Sequence, residues 1–106
     1  QEESVVSINL FDFVKSRVVF FNSLLITRNL IVDLKFTQES MIEMRKVDLL
    51  RVIDNTLSNA IKYAKSASEI YINIASDDIY SSFECKNSGS VIKDTKKIFD
   101  KGYRES

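Results

Sequence analysis

From Val47 to Ala64 the chain reads VDLLRVIDNTLSNAIKYA, and the spacing of its apolar residues leaves little choice of structure. Leu50, Ile53, Leu57, Ala60, Ile61 and Ala64 recur at intervals of three and four, the period of one helix face. Asn55, Asn59 and Lys62, with Tyr63 four residues after Asn59, fall on a neighbouring polar flank. The pattern predicts a helix from 47 or 48 to 64, with Asp48 as its cap or first-turn acidic residue. The period then changes to two. Residues 69–75 and 79–86 alternate as strands, and Asp77-Asp78 between them supplies the tight reversal of a hairpin.

The first half of the chain reads in the same way. Residues 5–10 predict a short strand, and Asn9 followed by Asp12 marks a helix start. Phe11, Val14, Val18, Phe21 and Leu25 then keep helical spacing, predicting one amphipathic helix over 10–28. Asn29 marks a turn, after which residues 30–36 alternate as a strand and 41–44 form another short one. Near the end, residues 94–101 predict a short helix presenting Ile98 and Phe99 and stopped by Gly102. This order predicts an α+β fold, a two-layer α/β sandwich in which a mixed sheet carries its helices packed on one face. With 44% hydrophobic residues in 106, the chain fits one compact domain built on one core.

Composition removes several chemistries. There is no histidine, which excludes the usual zinc clusters, Ser-His-Asp and Cys-His nucleophilic sites, and phosphorylation of a histidine within this chain. The single cysteine, Cys85, cannot form an internal disulfide, and its place in an alternating stretch reads as a strand cysteine. Fifteen basic and fifteen acidic residues cancel and are scattered, so bulk charge makes no case for nucleic-acid binding. The longest apolar runs fall far short of the roughly 20 residues that span a bilayer. Two glycines and no proline argue against a scaffold of several glycine-rich loops, and draw attention to Gly89 and Gly102.

The polar flank of the 47–64 helix is where chemistry is available. An asparagine oxygen can ligate hard Mg²⁺, an ammonium offsets phosphate charge, and a helix edge holds both rigidly. By spacing alone, Asn55, Asn59 and Lys62 fit either a nucleotide-phosphate site or a solvent-facing edge. Asn87 ends a strand and can hydrogen-bond a ligand edge, and Gly89 can let a planar ring approach the backbone, yet NSG is also an ordinary turn. Taken alone, Phe99 reads more readily as a core anchor for a short helix than as an aromatic against a ligand.

The order of these segments carries a resemblance. LLRVIDNTLSNAIKYA closely resembles the N box of sensor histidine kinases, with Asn55, Asn59, Ala60, Lys62 and Tyr63 all fitting the motif. KNSGSVI then looks like the first glycine box of that family, and KKIFDKGY is similar to the phenylalanine motif that begins its ATP lid. The resemblance implies an ATP-binding catalytic domain with the Bergerat-type sandwich that gyrase, MutL and heat-shock chaperone ATPases share. By matched position, Asn59 would coordinate Mg²⁺ at the phosphates and Asn55 would support the metal or phosphate site. Lys62 would contact phosphate, making Asn55 and Lys62 the catalytic pair, while Tyr63 and Phe99 would pack near the nucleotide. Asn87 takes the place of the family's adenine-reading aspartate, Gly89 allows approach to adenine, and Val91 replaces the second glycine of the box.

The resemblance further implies residues 1–106 as a single partial domain that stops before the second glycine box, with the end of the ATP lid and the phosphoacceptor helical hairpin outside it. ATP with Mg²⁺ would donate its γ-phosphoryl group to a histidine on that hairpin, for transfer to a response regulator. The parent would be a membrane-anchored homodimer with this domain on the cytoplasmic side, touching neither membrane nor nucleic acid, and the chain by itself would transfer no phosphate. Two alternatives remain at this level. One is a Bergerat-fold ATPase, disfavoured because an amide at position 55 cannot take a proton from water. The other is a degenerate nucleotide-binding or dimer-forming module without kinase activity.

Overall fold

The computed structural model describes residues 4–88 and 95–100. In chain order the elements are strand β1 (Val5–Asn9), helices α1 (Leu10–Phe20) and α2 (Asn22–Thr27), strands β2 (Ile31–Phe36) and β3 (Met41–Arg45), helix α3 (Lys46–Tyr63), and strands β4 (Glu69–Ser76), β5 (Tyr80–Asn87) and β6 (Thr95–Asp100). A four-stranded mixed sheet runs in the order β2-β4-β5-β6, with β2 parallel to β4 and the other pairs antiparallel. β1 and β3 pair separately as an antiparallel ribbon. Among the described residues no helix is long and apolar enough to cross a membrane.

The core forms where the helical stripe meets one face of the sheet. Ile70, Ile72 and Ile74 alternate along β4 and Phe83 and Cys85 along β5, all buried, against Leu49, Ile53, Leu57 and Ile61 of α3 and Leu10, Phe13 and Val14 of α1. The helices therefore lie on one face, as the alternation predicts. Leu50, expected in the stripe, is only half-buried, and Leu49 takes the deepest position in that turn. The other face of the sheet is polar. There the Tyr71 hydroxyl donates to the Glu69 carboxylate, which raises the phenol's pKa above its ordinary value.

Local signals explain most boundaries. Asn9 Oδ1 accepts from the Asp12 amide at 3.0 Å, capping α1. Asn29 stands at φ 59, the Leu30 amide donates to the Leu25 carbonyl and the Asn29 amide to that of Ile26, so α2 ends in a Schellman motif whose Leu25 and Leu30 are both buried. Asp77 Oδ1 accepts from the amides of Ile79 and Tyr80 at 2.8 and 2.7 Å, an Asx turn that closes the β4–β5 hairpin.

Two expectations are corrected. The single helix over 10–28 is interrupted at Phe21, whose amide is shared between the carbonyls of Arg17 and Val18. Val18, Val19, Phe20 and Phe21 form a run of β-branched and aromatic residues, each of which loses χ1 freedom in a helix, so the break falls where helical propensity is lowest. The short helix over 94–101 is instead strand β6, paired with β5 from Cys85↔Thr95 to Tyr80↔Asp100. Eight residues are a marginal helix in isolation, whereas β5 offers a row of unpaired backbone groups that a strand satisfies. Phe99 is partly buried against the core from this strand.

Candidate functional site

α3 is held from three sides, and the side left open carries the asparagines. At its start, Arg45 Nε donates to Asp48 Oδ2 at 2.9 Å, with Arg51 more distant from Asp48 Oδ1 at 3.5 Å. In its middle, the guanidinium of Arg17 on α1 grips Asp54 with two bonds of 2.9 and 2.8 Å, turning that carboxylate toward α1. At its end no glycine caps the helix. Arg28 reaches across to the carbonyls of Ile61, Lys62 (3.2 Å) and Ala64 (2.6 Å), bringing a positive charge to the negative end of the helix dipole.

The open flank of α3 borders a cleft of about 360 Å³. Its helix wall is Arg51, Val52, Asn55, Thr56, Asn59 and Ala60. Cys85 and Asn87 of β5 line it from the sheet, with Thr95 and Lys97 of β6 beside them. Lys97 sits opposite Phe83 and Thr95 opposite Cys85, so both share the helix-facing side of the sheet with those two buried residues. Asn87 joins strand to helix, its Nδ2 donating to the Ala60 carbonyl at 3.0 Å. A carbonyl partner requires the nitrogen on that side, which leaves Oδ1 as an acceptor for other groups. Among the described residues no carboxylate lines the cleft.

Of the residues singled out from the sequence, Asn55, Asn59 and Asn87 meet in this cleft. Lys62 and Tyr63 occupy the last turn of α3, outside the lining, with the Lys62 ammonium 5.1 Å from the Tyr63 ring centroid. Phe99 also lies outside it, and Gly89 and Val91 lie outside the described residues. Sequence reasoning missed Arg51, Thr95 and Lys97. Arg51 stands one helical turn before Asn55 and was legible from that spacing, whereas the β6 residues were not, because a helix was expected there.

The donor set sets limits on a metal. Mg²⁺ in proteins is usually bound through carboxylates together with substrate phosphates. The cleft offers two neutral amides one turn apart, Asn55 and Asn59, and the described residues contain no cluster of three metal-ligating side chains. These residues fit Mg²⁺ only as partial ligands, with phosphate oxygens supplying the negative charge.

No family model matches the sequence, and no curated protein matches it. Solved structures do match in fold. The nucleotide-free catalytic domain of histidine kinase ThkA superposes with a TM-score of 0.78 at 20% identity, covering 85% of this chain and 62% of that one. Histidine kinase AdeS of Acinetobacter baumannii superposes at 0.74 with 16% identity, covering 88% of this chain and 46% of that one. Full-length ShkA in complex with AMPPNP gives 0.73 at 13% identity, covering 84% of this chain and 19% of that one. The chain thus spans about 62% of the ThkA catalytic domain. With the amide-lined cleft beside α3, these superpositions assign the chain the α/β-sandwich fold of histidine kinase catalytic domains.

Proposed function

We propose that the chain is the nucleotide-holding part of a histidine kinase catalytic domain, which binds Mg-ATP in the α3–β5 cleft and donates the γ-phosphoryl group to a histidine on a separate helical domain. The observation that carries this reading is the convergence of Asn55, Asn59 and Asn87 on one cleft that, among the described residues, no carboxylate lines. The ShkA complex holds AMPPNP, and ThkA has been captured with response regulator TrrA, which supports a nucleotide here and a response regulator downstream of the parent protein.

In this mechanism Asn87 Oδ1 accepts a hydrogen bond from the adenine amino group, its orientation set by the Nδ2 bond to Ala60. Asn55 and Asn59 present their amide oxygens to the metal–phosphate assembly. Bound Mg²⁺ supplies charge neutralisation at the phosphates. The bond between the γ phosphorus and the bridging oxygen breaks as an imidazole nitrogen of the acceptor attacks, and ADP departs with the bonding pair. The imidazole proton goes to a base on the acceptor domain. The acceptor must lie elsewhere, because this chain contains no histidine. Water is a poor competitor, since among the described residues no carboxylate lines the cleft to take its proton.

Incubation of the chain with γ-labelled ATP, Mg²⁺ and a separately produced histidine-bearing helical hairpin tests the reading. Label appearing on the hairpin and absent from the chain supports it. Release of free phosphate at the same rate with and without the hairpin contradicts it.

A further inference from the structure

Although the chain is neutral overall, the cleft is not. Among the described residues its lining carries two cations, Arg51 from α3 and Lys97 from β6, and no carboxylate. Low-dielectric walls lined by one sign of charge focus the field on an anionic ligand. Arg51 has only a long, exposed contact to Asp48, which Arg45 already holds at 2.9 Å. Such surface pairs are worth little, so the guanidinium remains available. Among the described residues Lys97 forms no ion pair. It stands on the edge strand of the sheet, on the side that faces α3.

The two cations also lie at one end. The Asn87–Ala60 bond marks the other. Along α3, the nine residues from Ala60 back to Arg51 span about 13 Å at the usual helical rise. Along β5, the four residues from Asn87 back to Phe83, the partner of Lys97, span about 13 Å as well. The chain turns back from α3 into β4 through residues 64–68, and β4 is antiparallel to β5, so helix and strand run in the same direction. An amide reader sits at one end, Asn59 and Asn55 lie between, and two cations stand at the far end. That is the order of groups in a nucleoside polyphosphate: a base, a sugar, then accumulating negative charge.

Resting on the nucleotide reading above, we infer that Lys97 and Arg51 are the terminal-phosphate readers of this cleft, Lys97 foremost, and that they select nucleoside triphosphates over shorter nucleotides.

The test titrates adenosine, ADP, ATP and inorganic tripolyphosphate into the chain and its K97Q, R51Q and K35Q variants, read by calorimetry, Lys35 lying on the polar face of the sheet outside the cleft. Lys97 is exposed, so K97Q keeps the fold, which an unchanged circular dichroism melt verifies, and K97R serves as the charge-preserving control. K97Q is expected to weaken ATP and tripolyphosphate about tenfold, R51Q by less, and neither to change adenosine. K97R restores ATP binding, and K35Q stays within about twofold of the parent chain. Equal losses for adenosine and ATP in K97Q, or an ATP loss in K35Q as large as in K97Q, overturn the inference and leave the nucleotide reading standing. Lys97-dependent tripolyphosphate binding with ATP no tighter than tripolyphosphate keeps the cationic end and removes the nucleotide reading. Absence of binding by every probe overturns both.

Discussion

The amide nitrogen of Asn87 donates to the main-chain carbonyl of Ala60 at 3.0 Å, so the end of β5 is tied to α3 by the one side-chain atom that an aspartate at this position would lack. Asparagine here is therefore a structural tie. In N87D a carboxylate faces a carbonyl oxygen with no hydrogen between them. We expect this variant to lose about 1–2 kcal/mol in urea denaturation at neutral pH, and N87A less, because alanine removes the bond without adding a charge. Equal stability of N87D and the parent chain contradicts the tie.

Arg17 and Asp54 join α1 to α3 through a two-bond contact whose side chains are 19% and 25% exposed. Arg17 also lies 4.2 Å from the Phe20 ring centroid, which stiffens it in place. Partial burial makes this pair worth more than an open surface bridge, and D54N is expected to cost about 1–2 kcal/mol. Asp54 faces away from the cleft, so ATP affinity should stay within about twofold. A large affinity loss with unchanged stability would place Asp54 in the site instead.

The closing turn of α3 depends on Arg28, a residue from the loop before β2. R28A removes hydrogen bonds to carbonyls at the helix C-terminus and a favourable charge on its dipole, for an expected loss of about 1–3 kcal/mol. Amide hydrogen exchange should rise first in the last turn of α3. R28K keeps the charge without the fork and is expected to recover only part of the stability.

Because Asn55 and Asn59 are neutral, Mg²⁺ alone should give no measurable heat on titration, and ATP should create its site. N59A is expected to remove most of the Mg²⁺ dependence of ATP affinity while leaving adenosine binding unchanged. Tight Mg²⁺ binding to the nucleotide-free chain contradicts this donor set.

How far the sequence could be read follows from where each determinant sits. α3 was legible because its burial pattern and its polar flank are both written within eighteen consecutive residues. The Asn9 cap and the Asp77 turn were legible because each bonds an amide two or three residues away. The break at Phe21 was hidden because Phe21 and Leu25 keep helical spacing across it. β6 was hidden because its strand character comes from the edge of β5, and no periodicity inside Thr95–Asp100 reports that edge. The same holds for the site. Asn55 and Asn59 share a helix flank and could be paired by spacing, whereas the Asn87–Ala60 tie, the Arg28 clamp and the facing of Lys97 join residues far apart in sequence.

The central claim is that one cleft, between α3 and β5, holds the nucleotide through three asparagines. Side-chain amide resonances report this directly, since each NH₂ group gives its own pair of signals in a ¹⁵N-correlated spectrum. Addition of Mg-AMPPNP is predicted to shift the side-chain signals of Asn55, Asn59 and Asn87 together, along one saturation curve, with Asn22 and Asn73 unmoved as internal controls outside the cleft. Unmoved signals from the three cleft asparagines at saturating nucleotide, or shifts centred on the polar face of the sheet around Asn73, would contradict the account.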